Sequence, residues 1–557
     1  MEVALDEAVP GYSGGLGVLA GDLLRAAADV GPDMVGVTLV YRQGYLAQRL
    51  DDDGTQHEAP EAWDPAAHLE PLAESVVVVL GGEQVEVGAW RYVVRGERSE
   101  VPVVLLDTDR PSNGERWRSL TGRLYGGDGE YRLAQEAVLG LGGAVMLEAL
   151  GQRVETYHLN EGHSTLVGLA LLRRARHEGP GTSVEDAVGD VRRRCVFTTH
   201  TPVPAGHDRF AEDAVRHVLG EESLGDLTAL GGLGAGWLDM TRLGIGSSRW
   251  TYGVSTRHAE VTRAMFPGVE VRAVTNGVHL GTWVAPAMAS LFDARVPGWR
   301  QDNTRLRLLD RVPAAEVAAA HALSKEALVA EVARRTGRRL SADAFTIGAA
   351  RRATAYKRMS LLFSDPGRLE KLVAEFGTLQ VVLAGKAHPR DDGGKEIIRT
   401  LFRAAEQLGA SLPVVFLPGY EMGLARMLVA GADVWLNTPR PPHEASGTSG
   451  MKAAANGVPN LSVLDGWWVE GYLPGVTGWA VRGRPVDESR PEAAAEADAA
   501  DAAELYDVLG AEVLPLYHGD PGRFAAVRRA AVAFDGFHFT AQRMVLEYRR
   551  VAYDLDG

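Results

Sequence analysis

Residues 434–457 read VWLNTPRPPHEASGTSGMKAAANG: a short apolar run, a loop punctuated by proline and glycine, then alanine-rich sequence. This is the strand, loop and helix of half a βαβ unit. Gly447, Ser449 and Gly450 let backbone approach a phosphate before the helix that carries Lys452 begins. Upstream, the apolar runs 345–349, 379–384 and 414–417 each give way to a loop and then to helical periodicity. The expected fold is α/β, with a doubly wound parallel sheet in the second half. In the first half, residues 11–40 read as a glycine-rich loop, a helix with Leu19, Leu23, Ala26, Ala27 and Val30 at helical spacing, a Gly31-Pro32 stop and an apolar run. Strand-like runs at 75–80, 101–106 and 195–198, with helical sequence at 132–150 between them, predict a second α/β domain whose sheet is mainly parallel. A charged, proline-punctuated stretch at 286–313 reads as a crossing segment. The expected domains are 1–290, incomplete at its N-terminus, and 291–557, whose last helices are candidates for crossing back. Two such sheets would place a cleft between the carboxyl ends of their strands.

Composition narrows the function classes. The 557 residues suit two to four domains at about 100–200 residues each. A net charge of −15 provides no basic stripe and argues against nucleic acid as a partner. Cys195 is the sole cysteine, which excludes an internal disulfide or thiolate metal cluster and suits a reducing compartment. No apolar run reaches the roughly 18 residues of a membrane span and the start lacks the regions of a signal peptide, so no membrane partner is expected and the cytoplasm is the default. Lysine stands at only six of the 58 basic positions: 325, 357, 371, 386, 395 and 452. A lysine that survives this bias toward arginine is a candidate for work a guanidinium cannot do, such as forming an imine.

Three segments carry candidate chemistry. Ser13-Gly14-Gly15-Leu16-Gly17 opens a helix and offers N–H groups to an anion, although a plain tight turn explains it equally. Residues 345–358, FTIGAARRATAYKR, place Arg351, Arg352 and Lys357 beyond a buried strand, a set suited to clamping phosphate oxygens. Lys452, after its glycine-rich loop, reads as a phosphate contact or as the amine for an aldehyde cofactor. His279, His388, Asp391 and Asp392 lack the spacing of a metal site, and none is expected. Trp467-Trp468 suits a sugar-facing surface or a packed core.

EASGTSGMK, with ARRATAYKR, VTNGVHLGTW, YHLNEGHS, FTTHTPVPAGHDRF and YSGGLGVLAGD, resembles the α-glucan phosphorylases, in particular their shorter bacterial and archaeal branch. The resemblance runs from about Glu2 to beyond Tyr472. It implies a GT-B fold of two Rossmann-like domains with the active site in the cleft, and pyridoxal phosphate bound as an imine to Lys452. It implies that Gly14, Gly15 and Leu16 bind phosphate through backbone and that Arg352 and Lys357 hold the substrate phosphate. Arg351, Tyr420, Thr448 and Ser449 would lie by the cofactor phosphate, and Trp283 would line the cofactor pocket. Asn276 and Glu444, with the Ala445, Ser446 and Gly447 backbone, would hold the glucosyl unit. His200 would offer its main-chain carbonyl, and Glu161 and His163 would line the same sugar pocket. The implied reaction is reversible phosphorolysis of a terminal α-1,4-glucosyl residue of glycogen or maltodextrin to glucose 1-phosphate, with retention. The implied partners are α-1,4-glucan with inorganic phosphate or glucose 1-phosphate, and self-association stays open.

Other readings stand beside this one. A glycogen-synthase-like transferase of the same fold would carry E-x7-E, but the position eight after Glu444 is Lys452. A retaining glycosidase needs two carboxylates about 5–5.5 Å apart, which spacing in sequence cannot supply for Glu161 and Glu444. A glycan-binding homologue that has lost catalysis is the third. Its motives are that Met1-Glu2-Val3 enters at the end of the family's first strand, that Asp6 stands where a histidine is expected, and that Pro441 stands where arginine is frequent.

Overall fold

Six strands, five of them buried at every residue, build the largest sheet of the computed structural model, which describes residues 1–203, 206–486, 490 and 492–553. They are Phe345–Ala350, Leu379–Ala384, Val414–Leu417, Val434–Asn437, Asn460–Val463 and Gly478–Val481. All are parallel, and numbered by chain order they lie 3-2-1-4-5-6. Parallel strands joined by helices are covered on both faces, so their sequences are mostly apolar rather than alternating, with buried Gln380 and Asn460 among the exceptions. The order reverses between Phe345–Ala350 and Val434–Asn437. At such a switch point the loops leaving the two strands diverge and open a crevice beyond their carboxyl ends.

Two compact units divide the chain: residues 1–46, 60–275 and 544–557 form one, and residues 47–59 and 276–543 the other. The second unit therefore contains a hairpin from early in the chain, Ala47–Leu50 paired antiparallel with Gln56–Ala59. The stretch read as a crossing segment is helical, with Pro286–Arg295 followed by the 3₁₀ run Asn303–Arg311, and lies within this unit.

The first unit holds a four-stranded parallel sheet of Tyr157–Asn160, Cys195–Thr198, Trp250–Gly253 and Val271–Ala273. Its other large sheet departs from the sequence expectation. Gly36–Leu39 runs parallel to Glu100–Asp107, but Glu70–Leu80, Glu83–Arg95 and Glu100–Asp107 form an antiparallel meander. The cause is Gly81-Gly82, both at positive φ (59° and 77°). A two-residue turn of this kind returns the chain as a hairpin, whereas a parallel crossover needs a dozen or more residues. The predicted helix at 132–150 is present, interrupted by a π-turn over Val138–Gly142. Trp467 and Trp468 are fully buried, which settles them as core. No helix among the described residues is long and apolar enough to cross a membrane.

Candidate functional site

In the second unit, the two strands at the switch point place the predicted cations against the predicted acid. The loop after Phe345–Ala350 carries Arg351, Arg352 and Lys357, and the loop after Val434–Asn437 carries Glu444. Lys357 donates from Nζ to Glu444 Oε2, with both side chains largely buried. Burial alone would push the ammonium down, but the Glu444 carboxylate outweighs it and holds Lys357 above its ordinary value. Arg351 is buried, and its guanidinium donates to the carbonyls of Lys357 and Leu436. Burial brings it down to about 10, with Glu444, Tyr356 and Tyr420 opposing the shift. A buried guanidinium held by carbonyls retains its full charge, so it suits an anion. Burial also pushes the Tyr420 phenol up to about 12, against the pull of Arg351. Arg352 is exposed on the same loop.

The Glu444 loop is fixed from behind. Asp465 accepts from the Glu444 N–H at 2.9 Å, and Ser446 C=O accepts from Trp467 N–H at 2.8 Å. Gly447 sits at φ 87° as the N-cap of the helix Thr448–Ala455. Only glycine adopts that conformation freely, and it aims the first-turn N–H groups of Thr448 and Ser449 outward. Ser449 Oγ accepts from Trp435 Nε1 at 3.1 Å.

Lys452 is buried on this helix, its Nζ 3.7 Å from the centroid of the Trp283 ring. Asn456, one turn on, ties the two together. Its Nδ2 donates to Trp283 C=O at 2.8 Å and Lys452 C=O at 2.9 Å, and its Oδ1 accepts from Ala285 N–H at 2.7 Å. Asn276 is buried, and its carbonyl accepts from Arg543 at 3.0 Å. The donor set fits pyridoxal phosphate: an amine against an aromatic wall, and, for a phosphate monoester, a helix N-terminus, two hydroxyls and the buried Arg351. Lys452, Trp283, Thr448, Ser449 and Arg351 are the residues able to hold it.

The first unit contributes a second constellation. Glu161 follows Tyr157–Asn160 and adopts φ 68°, ψ 170°, a region nearly closed to residues with a Cβ. The strain is held by its own carboxylate: Oε1 accepts from Gly162 N–H at 3.0 Å, and Oε2 from His200 N–H at 2.7 Å and Thr201 Oγ1 at 2.9 Å. Burial raises the carboxyl, but His200, His163 and His207 together with the His200 N–H hold it below its usual range. His200 Nε2 donates to Asn160 Oδ1 at 2.6 Å, and burial lowers it to about 4. His163 is flanked by Asp208 at 3.1 Å and by Glu136. With them it brings three ligand-type atoms within 4.8 Å of one another. Arg132 runs through this group, bonded to Glu136, His163 and Asp208, so the position of a cation is already filled by a guanidinium.

The glycine loop differs from expectation. The helix Gly15–Val30 starts where predicted, but the Gly14 N–H donates to Glu2 Oε2 at 3.1 Å and the Ser13 N–H donates to the same oxygen. A carboxylate of this chain therefore takes the Gly14 N–H, one of the donors expected to hold phosphate. Tyr125 donates to the other Glu2 oxygen at 3.1 Å. Glu2, Asn456 and Asp465 are site residues that the sequence reading did not single out. Each acts by bonding backbone distant in the chain, which no local spacing reveals.

Residues 207–472 match the carbohydrate phosphorylase family. The chain is 37% identical to a glycogen phosphorylase of Mycobacterium bovis and 36% identical to a maltodextrin phosphorylase of Thermococcus litoralis, in each case over 98% of this chain and 69% of the relative. A glycogen phosphorylase of Aquifex aeolicus is 33% identical over 96% of this chain and 83% of its own.

Proposed function

The chain belongs to the carbohydrate phosphorylase family, and on that premise we propose that it is an α-glucan phosphorylase that splits terminal α-1,4-glucosyl residues with inorganic phosphate, reversibly and with retention. The observation that carries this reading is the Lys357–Glu444 pair at the switch point of the parallel sheet, on the same unit as Lys452 against Trp283. In this proposal the chain is a GT-B enzyme whose two units are Rossmann-like domains.

Pyridoxal phosphate, attached through Lys452, supplies a second phosphate group able to hold and return a proton beside the reacting one. The chain's own residues do the rest. Arg352 and Lys357 bind the incoming phosphate, and Glu444 keeps Lys357 in its ammonium form against burial. Arg351, Thr448 and Ser449, with Tyr420 beside them, balance the neighbouring phosphate charge, so that two anions share one site. Glu444, Asn276 and the 445–447 backbone hold the glucosyl hydroxyls, with Glu161 and His163 along the same sugar. The His200 carbonyl faces the positive charge that develops at C1 as the bond to the glucan oxygen breaks. A phosphate oxygen then bonds to C1 on the same face, and the glucan oxygen leaves with the proton from phosphate. Water must be excluded, because it would turn phosphorolysis into hydrolysis.

The Gly15 and Leu16 N–H groups hold phosphate from the glycine loop. Cys195, buried and pushed up to about 12, is inert as a nucleophile, in keeping with a cytoplasmic protein. The test is product analysis with maltodextrin in phosphate buffer after loading with pyridoxal phosphate. Glucose 1-phosphate as the product supports the proposal. Free glucose, or transfer only from a sugar nucleotide, would overturn it.

A further inference from the structure

The hairpin of Ala47–Leu50 and Gln56–Ala59 ends on two side-chain amides whose bonding capacity goes largely into backbone of the phosphate-binding loops. Gln56, 5% exposed, bonds Ala387 in both directions: Oε1 accepts from the Ala387 N–H at 3.0 Å, and Nε2 donates to the Ala387 C=O at 3.0 Å. Its remaining donor goes to Glu58 at 2.8 Å, and Glu58 pairs with Lys395 at 2.9 Å. Gln48 donates to Gln56 Oε1 and to the Gly385 C=O, both at 2.9 Å, and accepts from the Gly419 N–H at 2.9 Å. Each Nε2 thus uses both of its hydrogens.

These partners back the site loops directly. Gly385 lies so close to Arg351 that a Cβ there would meet the Arg351 carbonyl at 2.2 Å. Arg351 N–H donates to Ala384 C=O at 3.2 Å, and Ala353 N–H to Lys386 C=O at 3.0 Å. Residues 351–353, which carry two of the cations, therefore rest on residues 384–387, and Gly419 immediately precedes Tyr420. The hairpin binds both supports at once.

We propose that Gln48 and Gln56 are positioning residues for phosphate, holding the Arg351–Arg352 loop and the Tyr420 loop in register. The proposal rests on the phosphorylase reading. The chemistry suits glutamine: the supporting loops present both N–H and C=O groups, and a primary amide offers two donors and an acceptor from one planar side chain. A carboxylate would leave Gly385 and Ala387 carbonyls facing oxygen, and an apolar group would leave all four backbone groups unpaired. Saturated amide networks fix geometry beyond what their separate bonds supply.

The test uses the full chain loaded with pyridoxal phosphate, in five forms: wild type, Gln48→Leu, Gln48→Glu, Gln56→Leu and Arg49→Ala. Arg49 is an exposed neighbour on the same hairpin. We expect KM for inorganic phosphate to rise five- to tenfold in Gln48→Leu and Gln48→Glu, with KM for maltodextrin within twofold, and Arg49→Ala to match wild type. Amide exchange at Ala387 and Gly419, followed by mass spectrometry, is expected to accelerate in the Gln48 variants without faster exchange across the Phe345–Ala350 strand. Should Gln56→Leu fail to fold, the exposed-side Gln48 pair still decides the matter. Unchanged phosphate KM and unchanged exchange in both Gln48 variants would overturn the proposal. A fall in melting temperature with both KM values unchanged would overturn it as well, by reducing the amides to scaffold. A wild type that makes no glucose 1-phosphate would instead refute the phosphorylase reading, and the exchange data would still report on the clamp.

Discussion

Asn456→Leu removes a fully buried amide while keeping its branched heavy-atom shape. Three hydrogen bonds disappear, at 2.7, 2.8 and 2.9 Å. The Lys452 carbonyl belongs to the helix, but the Ala285 N–H and Trp283 C=O are left without the amide. Each orphaned buried group costs about 1–3 kcal/mol, so the variant loses about 2–6 kcal/mol. At ~2 °C per kcal/mol for a unit of this size, its melting transition falls by about 4–12 °C. The function suffers separately, because Trp283 is no longer tied to the turn that carries Lys452, and release of bound pyridoxal phosphate on dialysis is faster. Asn456→Asp separates shape from bonding: it fits the space but sets an oxygen against the Trp283 and Lys452 carbonyls. It is expected to be as damaging as leucine at pH 7. The assay is differential scanning fluorimetry with and without cofactor, alongside the absorbance of the retained cofactor. Melting within 1 °C of wild type, with undiminished cofactor retention, would refute the reasoning.

Three further outcomes follow from the same structure. Glu444→Gln removes the charge that holds Lys357, and a lost charge-assisted bond of about 1.5–3 kcal/mol lowers kcat/KM for maltodextrin about 10- to 100-fold; activity within twofold of wild type would contradict this. Asp433→Asn leaves Lys325 and Arg528 buried without their shared carboxylate and costs about 3–5 kcal/mol, read as a lower urea midpoint of the second unit, while an unchanged midpoint would count against it. Hydrogen bonds to the Asp208 and Glu136 carboxylates hold His163 above its ordinary value in spite of burial. Its folded value exceeds the unfolded one, so the stabilisation is fully present below about pH 6.5 and fades as pH rises through the folded value. The urea midpoint of the first unit is therefore expected to fall across neutral pH and Asp208→Asn to flatten that slope; equal slopes in the two proteins would exclude the mechanism.

Much of the second unit was legible because its strands are buried on both faces. The mostly apolar runs at 345–350 and 434–437 stand out in the sequence, and the loops after them carry Arg351, Lys357 and Glu444, residue types suited to an anion. The lysine bias was informative in the same way. Lys357 pairs with Glu444 and Lys452 lies against Trp283, while Lys325 serves a buried ion network around Asp433 and Lys371 is exposed. The meander of the first unit was misread although its signal was present, since Gly81-Gly82 between two strand-like runs is a hairpin turn. The supporting residues were out of reach for a different reason. Glu2 bonds to the Ser13–Gly14 backbone, Asp465 to Glu444 and Gln56 to Ala387; the last spans more than 300 positions, and the partner is a peptide group that every residue has. Side-chain chemistry shows in a sequence, whereas the backbone it will meet does not.

The most direct test of the central claim is phosphate-dependent release of glucose 1-phosphate from maltodextrin by the full chain, with wild type and Lys452→Ala side by side in added pyridoxal phosphate. The account predicts release by the wild type that saturates with phosphate, and none above background from Lys452→Ala. Equal release by the two proteins, or none from a wild type shown to retain the cofactor, would contradict it.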